Sequence, residues 1–117
     1  MENDLTRRLF DFAVKVIKFL RTLPKSPETQ IIRYQLTKSS ASSGSNYEEA
    51  QAGSSRADFA NKVRISLREM RESNYWLRLI ISIEDDQMNN NELDWLINES
   101  KELKLILGSI VQKTRKV

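Results

Sequence analysis

No cysteine and no histidine occur among the 117 residues. Those absences exclude disulfides, thiolate nucleophiles, zinc-finger ligand sets and every imidazole acid, base or metal ligand. Glycine and proline are scarce as well, with Gly 3 and Pro 2. Sheet-rich folds need frequent turns and use more of both. No apolar run approaches the roughly 20 residues of a membrane span. Met1-Glu2-Asn3-Asp4 lacks a basic region leading into an apolar stretch, so no secretory signal is expected. A cytoplasmic location without membrane contact is the resulting expectation, and absent cysteine is compatible with it.

What remains is a chain of one-domain length, large enough to bury a core without staples. It carries 19 Lys+Arg against 16 Asp+Glu, a net charge of +3. The basic excess sits in residues 1–22 and 56–84, with a short basic tail, Lys113, Arg115 and Lys116. A surface of this kind can hold nucleic acid through its phosphates. The plainer reading is a solvated helix surface.

Apolar spacing predicts four helices, over about 4–22, 27–52, 56–83 and 92–114, in a single domain covering 1–117. In the first, Asp4 is a plausible N-cap, and Leu5, Leu9, Phe12, Ala13, Val16, Ile17 and Leu20 recur at three- and four-residue steps. Phe10 and Phe19 widen that stripe. Pro24 disfavours helical geometry at Leu23, and Pro27 suits the first turn after a Ser26 cap.

The next segment is ambiguous. Ser39-Ser40-Ala41-Ser42-Ser43-Gly44-Ser45-Asn46 reads locally as a flexible linker, because serine competes for backbone hydrogen bonds and glycine costs about 1 kcal/mol in a helix interior. Alternatively the helix continues, with Ile32, Leu36, Ser39, Ser43, Tyr47 and Ala50 on one stripe whose small residues admit a close neighbour. Spacing alone does not separate the two.

Gly53 reads as a helix-ending turn, and Ser55 followed by Asp58 resembles a capping box. Phe59, Val63, Ser66, Met70, Ser73, Leu77 and Ile80 step at heptad spacing through the third helix. Leu93, Leu96, Ile97, Ser100, Leu103, Leu107, Ile110 and Val111 make the stripe of the fourth. Short connections make neighbours antiparallel. The fold class is all-α, an antiparallel up-down-up-down four-helix bundle.

A catalytic site is hard to assemble from this inventory. There is no phosphate-binding glycine loop and no nucleophile elbow. Glu84, Asp85 and Asp86 lack the spacing of a calcium loop. The chain is read as non-enzymatic, with no cofactor and no metal. Arg64, Arg68 and Arg71 share a face of the third helix. With Lys62 and the tail residues Lys113, Arg115 and Lys116, they are the candidate nucleic-acid contacts. Glu69 and Glu72 are interleaved with them and dilute their field. One of Glu72, Asn74 and Tyr75 is expected to be buried. Arg33 or Gln35 on the second helix would partner a buried Glu72. Trp76 and Trp95 read as core or interface anchors. The surplus apolar width of the first and third helices suggests oligomerisation.

Two stretches carry a resemblance. One runs from Gln35 to Ala50, with its small residues, Gly44, Asn46 and Glu49-Ala50. The other runs from Ser55 to Val63 and resumes at Leu67, including Glu72-Ser73-Asn74-Tyr75-Trp76-Leu77. Together they resemble the four-helix bundle proteins also called the 23S rRNA intervening-sequence protein family. That resemblance implies an up-down bundle with the serine-rich stretch inside helix two. It implies subunits of ring-like homo-oligomers, often pentamers, and similarity to accessory proteins of diversity-generating retroelements, which partner nucleic acid and a reverse transcriptase. It brings no catalytic residues. Its Asn and acidic positions fall on Asn46, Glu49, Glu69 and Glu72, read as structural polar contacts between helices. Many members look apolar where this chain has Ser43. The expectation is a homo-oligomeric bundle binding RNA, DNA or a nucleoprotein partner through a basic surface; the alternative is a structural or protein-interaction module without nucleic-acid binding.

Overall fold

A computed structural model describes residues 4–53, 55–84 and 91–115. It contains α1 (Asp4–Leu20), α2 (Pro27–Ala50), α3 (Arg56–Ile83) and α4 (Asn91–Thr114). Each helix packs on its sequence neighbour, and α1 closes against α4. The molecule is 49 × 24 × 19 Å, as expected for a bundle whose longest helix, of 28 residues, rises about 42 Å. Residue pairs across α2 and α3 run in opposite directions, Ser39 with Ser73 and Ser43 with Ser66. The same holds for α1 and α4, where Arg8 meets Glu99 and Lys15 meets Trp95. The architecture is an antiparallel four-helix bundle.

The helix boundaries have local causes. Asp4 is already helical and pairs with Arg7 at 3.4 Å, rather than standing outside as a cap. α1 stops at Leu20 and tightens into a turn, with the Thr22 amide donating to the Phe19 carbonyl at 2.9 Å. Ser26 and Thr29 form a reciprocal cap on α2. The Thr29 amide donates to Ser26 Oγ at 3.2 Å, and the Ser26 amide to Thr29 Oγ1 at 2.8 Å. α2 ends at Ala50, and Gly53 has a φ of 88°, a left-handed turn that favours glycine. At α3, Ser55 Oγ accepts from the Asp58 amide at 3.1 Å.

The core follows a three-four alternation in every helix. Leu9, Phe12, Val16 and Phe19 are buried on α1, Ile32, Leu36 and Tyr47 on α2, Val63, Met70 and Leu77 on α3, and Leu93, Leu96, Leu103 and Leu107 on α4. Phe10 points out, because it lies off that stripe. Trp76 is half-buried and packs on the core.

The serine-rich stretch is helix. Ser39, Ser40, Ser43, Ser66 and Ser73 are fully buried. Ser43 Oγ donates to the Ser66 carbonyl at 2.8 Å, Ser66 Oγ donates to the Ser43 carbonyl at 2.7 Å, and the Ser39 and Ser73 hydroxyls lie 2.8 Å apart. These hydroxyls are small enough to let the two backbones approach, and they replace the hydrogen bonds lost with water. The linker reading fails because it weighs propensity without this partner helix. Gly44 faces α1, where an added Cβ would meet Leu9 at 3.6 Å. That is ordinary contact, so the α1–α2 approach there does not require glycine.

Candidate nucleic-acid interface

The cationic positions of α3 repeat with the same periodicity as its core, rotated to the edge that borders α4. Arg64, Arg68, Arg71 and Arg78 occupy that edge, and all are exposed. Between α3 and α4 lies an open groove of about 750 Å³, lined by Arg71 and Arg78 from α3 and by Lys104 and Arg115 from the α4 side. A smaller hollow of about 310 Å³ continues it past Arg64 and Arg68, sharing Arg71 and Arg115. Neither hollow has an aspartate or glutamate in its lining. Among the described residues, Arg64, Arg71, Arg78, Lys104 and Arg115 make no ion pair, whereas Arg68 has a long one, 3.8 Å to Glu69. Leu67 and Val111, both buried, form the floor.

A buried polar link holds one end of this groove. Asn74, not Glu72, is the buried member of its trio. Its Nδ2 donates to Ser100 Oγ on α4 at 2.9 Å, and its Oδ1 accepts from Arg78 Nε at 2.9 Å. Asn74 thus couples the α3–α4 packing to the orientation of Arg78. The Arg78 guanidinium also lies 5.8 Å from the ring of Tyr75, which is exposed.

The glutamates interleaved with these arginines in sequence line neither hollow. Glu69 sits within the field of Lys38 on α2, and Glu72 is beside it. Burial pushes the Glu69 carboxyl above the usual carboxylate range; Glu72 adds to this, while Arg68 and Lys38 oppose it. The carboxylates therefore dilute the arginine field less than their sequence positions suggest, because a step of one residue turns a helix by about 100°.

The other expected contacts are dispersed. Lys62 is paired with Asp58 at 3.5 Å. Lys113 lines a different hollow, beside Arg56 and Phe59. Lys116, Asp85 and Asp86 lie outside the described residues. Neither Arg33 nor Gln35 partners Glu72. Arg33 Nη2 instead donates to the Leu23 carbonyl at 2.7 Å, anchoring the turn after α1. Asn46 is not an interhelical contact, since its Nδ2 donates to the Ser42 carbonyl one turn back, at 2.9 Å. Glu49 is exposed. Trp95 is partly exposed, with Lys15 Nζ 4.0 Å from its ring.

Arg78 and Lys104 belong to the groove although sequence reasoning passed over them. Arg78 had a legible signal, one heptad beyond Arg71. Lys104 had none, because its place is set by the α3–α4 packing. Among the described residues, no cluster of three or more acidic side chains is placed to hold a metal ion, and no helix is long and apolar enough to cross a membrane.

A family model for the 23S rRNA-intervening sequence protein matches residues 1–109. Among solved structures, a protein of unknown function from the S23 ribosomal protein family of Bacteroides thetaiotaomicron is similar. It shares 31% identity, over 92% of this chain and 97% of that one, with a TM-score of 0.79. No curated protein matches the chain.

Proposed function

Since the chain belongs to the 23S rRNA-intervening sequence protein family, we propose that it acts by binding nucleic acid, without catalysis, through the groove between α3 and α4. The carrying observation is the groove's lining, which holds Arg64, Arg68, Arg71, Arg78, Lys104 and Arg115 and no carboxylate. Cations collected in one concavity raise the local potential and release counterions when phosphates enter. Among the described residues, these groove cations make one ion pair, Arg68 with Glu69, and at 3.8 Å it is weak.

The test is binding of single-stranded and duplex oligonucleotides at two salt concentrations, between roughly 50 and 200 mM. Replacing Arg64, Arg68 and Arg71 together by alanine is expected to weaken binding at least about tenfold. It should also make the dependence of log affinity on log salt shallower by about two to three. Lys113→Ala, which alters a cation outside the groove, is the control and should change little. Undiminished binding in the triple variant removes this assignment.

A second reading has its own observation. Ile31 and Tyr34 lie one turn apart on α2, 60% and 64% exposed. An apolar pair this open fits a contact between copies of the chain, and a homo-oligomer, a pentameric ring by family resemblance, would cover it. A native mass several times 13.6 kDa, falling to the monomer in Ile31→Glu/Tyr34→Glu, would support assembly at that surface. An unchanged mass in the variant would remove it.

A further inference from the structure

The groove is not lined by charge alone. Its floor is apolar at Leu67 and Val111, and between the α4 residues Lys104 and Val111 the floor carries Gly108. A Cβ built at Gly108 would have no heavy atom within 4 Å. The residue is helical and its backbone has no left-handed angle. Neither strain nor close approach explains a glycine that costs about 1 kcal/mol of helix stability. What its missing side chain does is deepen the groove, at a point flanked by Arg71 and Arg78 on one side and Lys104 and Arg115 on the other. Leu105, 68% exposed, stands at the rim.

We infer that this depression receives an unpaired nucleobase, and that the ligand class of the groove is therefore single-stranded nucleic acid. The inference rests on the nucleic-acid reading above and narrows it. A cationic wall around a partly apolar floor, with Asn74, Ser109 and Gln112 also in its lining, suits a group that is anionic at its edge and planar in its body. A nucleotide in a single strand has that form. A duplex offers phosphates outward but keeps its bases stacked inside, so it gains from the arginines and not from the floor. The guanidinium of Arg78, held by Asn74, and the exposed one of Arg71 present planar faces on which a base can stack. Of the neutral polar residues in the lining, Asn74 is occupied by Ser100 and Arg78, leaving Ser109 and Gln112; sequence preference should be weak.

The experiment uses the full chain with a single-stranded decanucleotide, made as RNA and as DNA, its duplex, and the DNA strand with abasic sites at alternate positions. Losing stacked bases should weaken binding of the abasic strand by about tenfold or more, since a stacked base contributes on the order of 1–3 kcal/mol. Gly108→Leu fills the depression without changing charge, and its Cβ meets no heavy atom within 4 Å. It should lose a similar factor for the intact single strands, while duplex binding holds and thermal stability does not fall, since leucine is the better helix former. Equal binding of intact and abasic strands overturns the base pocket, as does a Gly108→Leu variant that weakens duplex and single strand alike. Either outcome leaves phosphate binding standing. Absence of binding to every probe overturns both the pocket and the function on which it rests. The abasic comparison needs no variant, so it decides the matter even if Gly108→Leu misfolds. RNA and DNA arms that differ would show whether the sugar contributes; equal arms would show that phosphate and base suffice, and in both cases the loss on base removal is the deciding quantity.

Discussion

Ser66→Leu is expected to lower the unfolding free energy by about 3 kcal/mol, the upper range for forcing a larger side chain into a filled core. Ser66 is fully buried, and its hydroxyl lies 2.7 Å from the Ser43 carbonyl while Ser43 returns a bond to the Ser66 carbonyl at 2.8 Å. Two helix backbones joined through one hydroxyl on each side leave no room for three more carbons. The variant must either separate α2 from α3 or rotate one of them, and it removes the hydroxyl that donates to the Ser43 carbonyl. Ser66→Ala removes the bond but keeps the spacing, and should cost about 1 kcal/mol. Chemical denaturation of both variants measures the difference. A leucine variant no less stable than the alanine one would show that the α2–α3 approach is not limited by these side chains. Hydrophobicity argues the opposite way, since leucine at a core heptad position is normally favourable. Close packing decides here because the interior is already filled.

The second large effect lies on the opposite seam. Arg8→Met should cost about 2 kcal/mol, more than an exposed ion pair is worth. Arg8 forks onto Glu99, Nε to Oε2 at 3.0 Å and Nη2 to Oε1 at 2.8 Å, and Nη2 also reaches Glu102 at 3.0 Å. The hydrogen bond to Glu99, with help from Glu102, raises the guanidinium's proton affinity despite some opposing burial. Glu99 is only 13% exposed, so losing Arg8 leaves a largely desolvated carboxylate next to a second one. The α1–α4 contact is the smallest of the four seams, which gives this clasp a larger share of its stability. A double-mutant cycle with Glu99→Leu isolates the coupling, expected at about 1 kcal/mol or more. The double variant should recover part of the loss, because no buried charge remains. If Arg8→Met changed stability by less than about 0.5 kcal/mol, the clasp would be a surface pair without structural weight.

Neither effect is easy to see along the chain. Arg8 and Glu99 are 91 residues apart, and each reads locally as a solvated charge between apolar positions. The serines read as helix-weakening residues, since local propensity counts their competition for backbone hydrogen bonds and not the partner that satisfies them. Asn74 and Glu72 illustrate the same limit. Both lie near the apolar face, but Asn74 is the one that meets Ser100 on α4, and an uncharged amide is far cheaper to desolvate than a carboxylate. Arg78 was legible as the next heptad step after Arg71. Its coupling to Asn74 was not.

By itself the sequence determined the helices, their approximate ends and their antiparallel order. Those follow from three-four apolar spacing, from Ser26, Pro27 and Ser55 as starts and Gly53 as a stop, and from connections too short for another arrangement. These are local properties, carried by neighbouring residues. The resemblance of residues 35–50 and 55–77 placed the serine run inside a helix before any packing was visible. Only the tertiary structure decided which charges share a space. It put Arg64, Arg71, Arg78, Lys104 and Arg115 around one groove whose lining holds neither Glu69 nor Glu72. It also sent Lys62 to Asp58 and Lys113 to another hollow. A helix spreads consecutive residues around its full circumference, so the sign of a surface depends on which edge its neighbour leaves open, and that is set by the packing of the bundle.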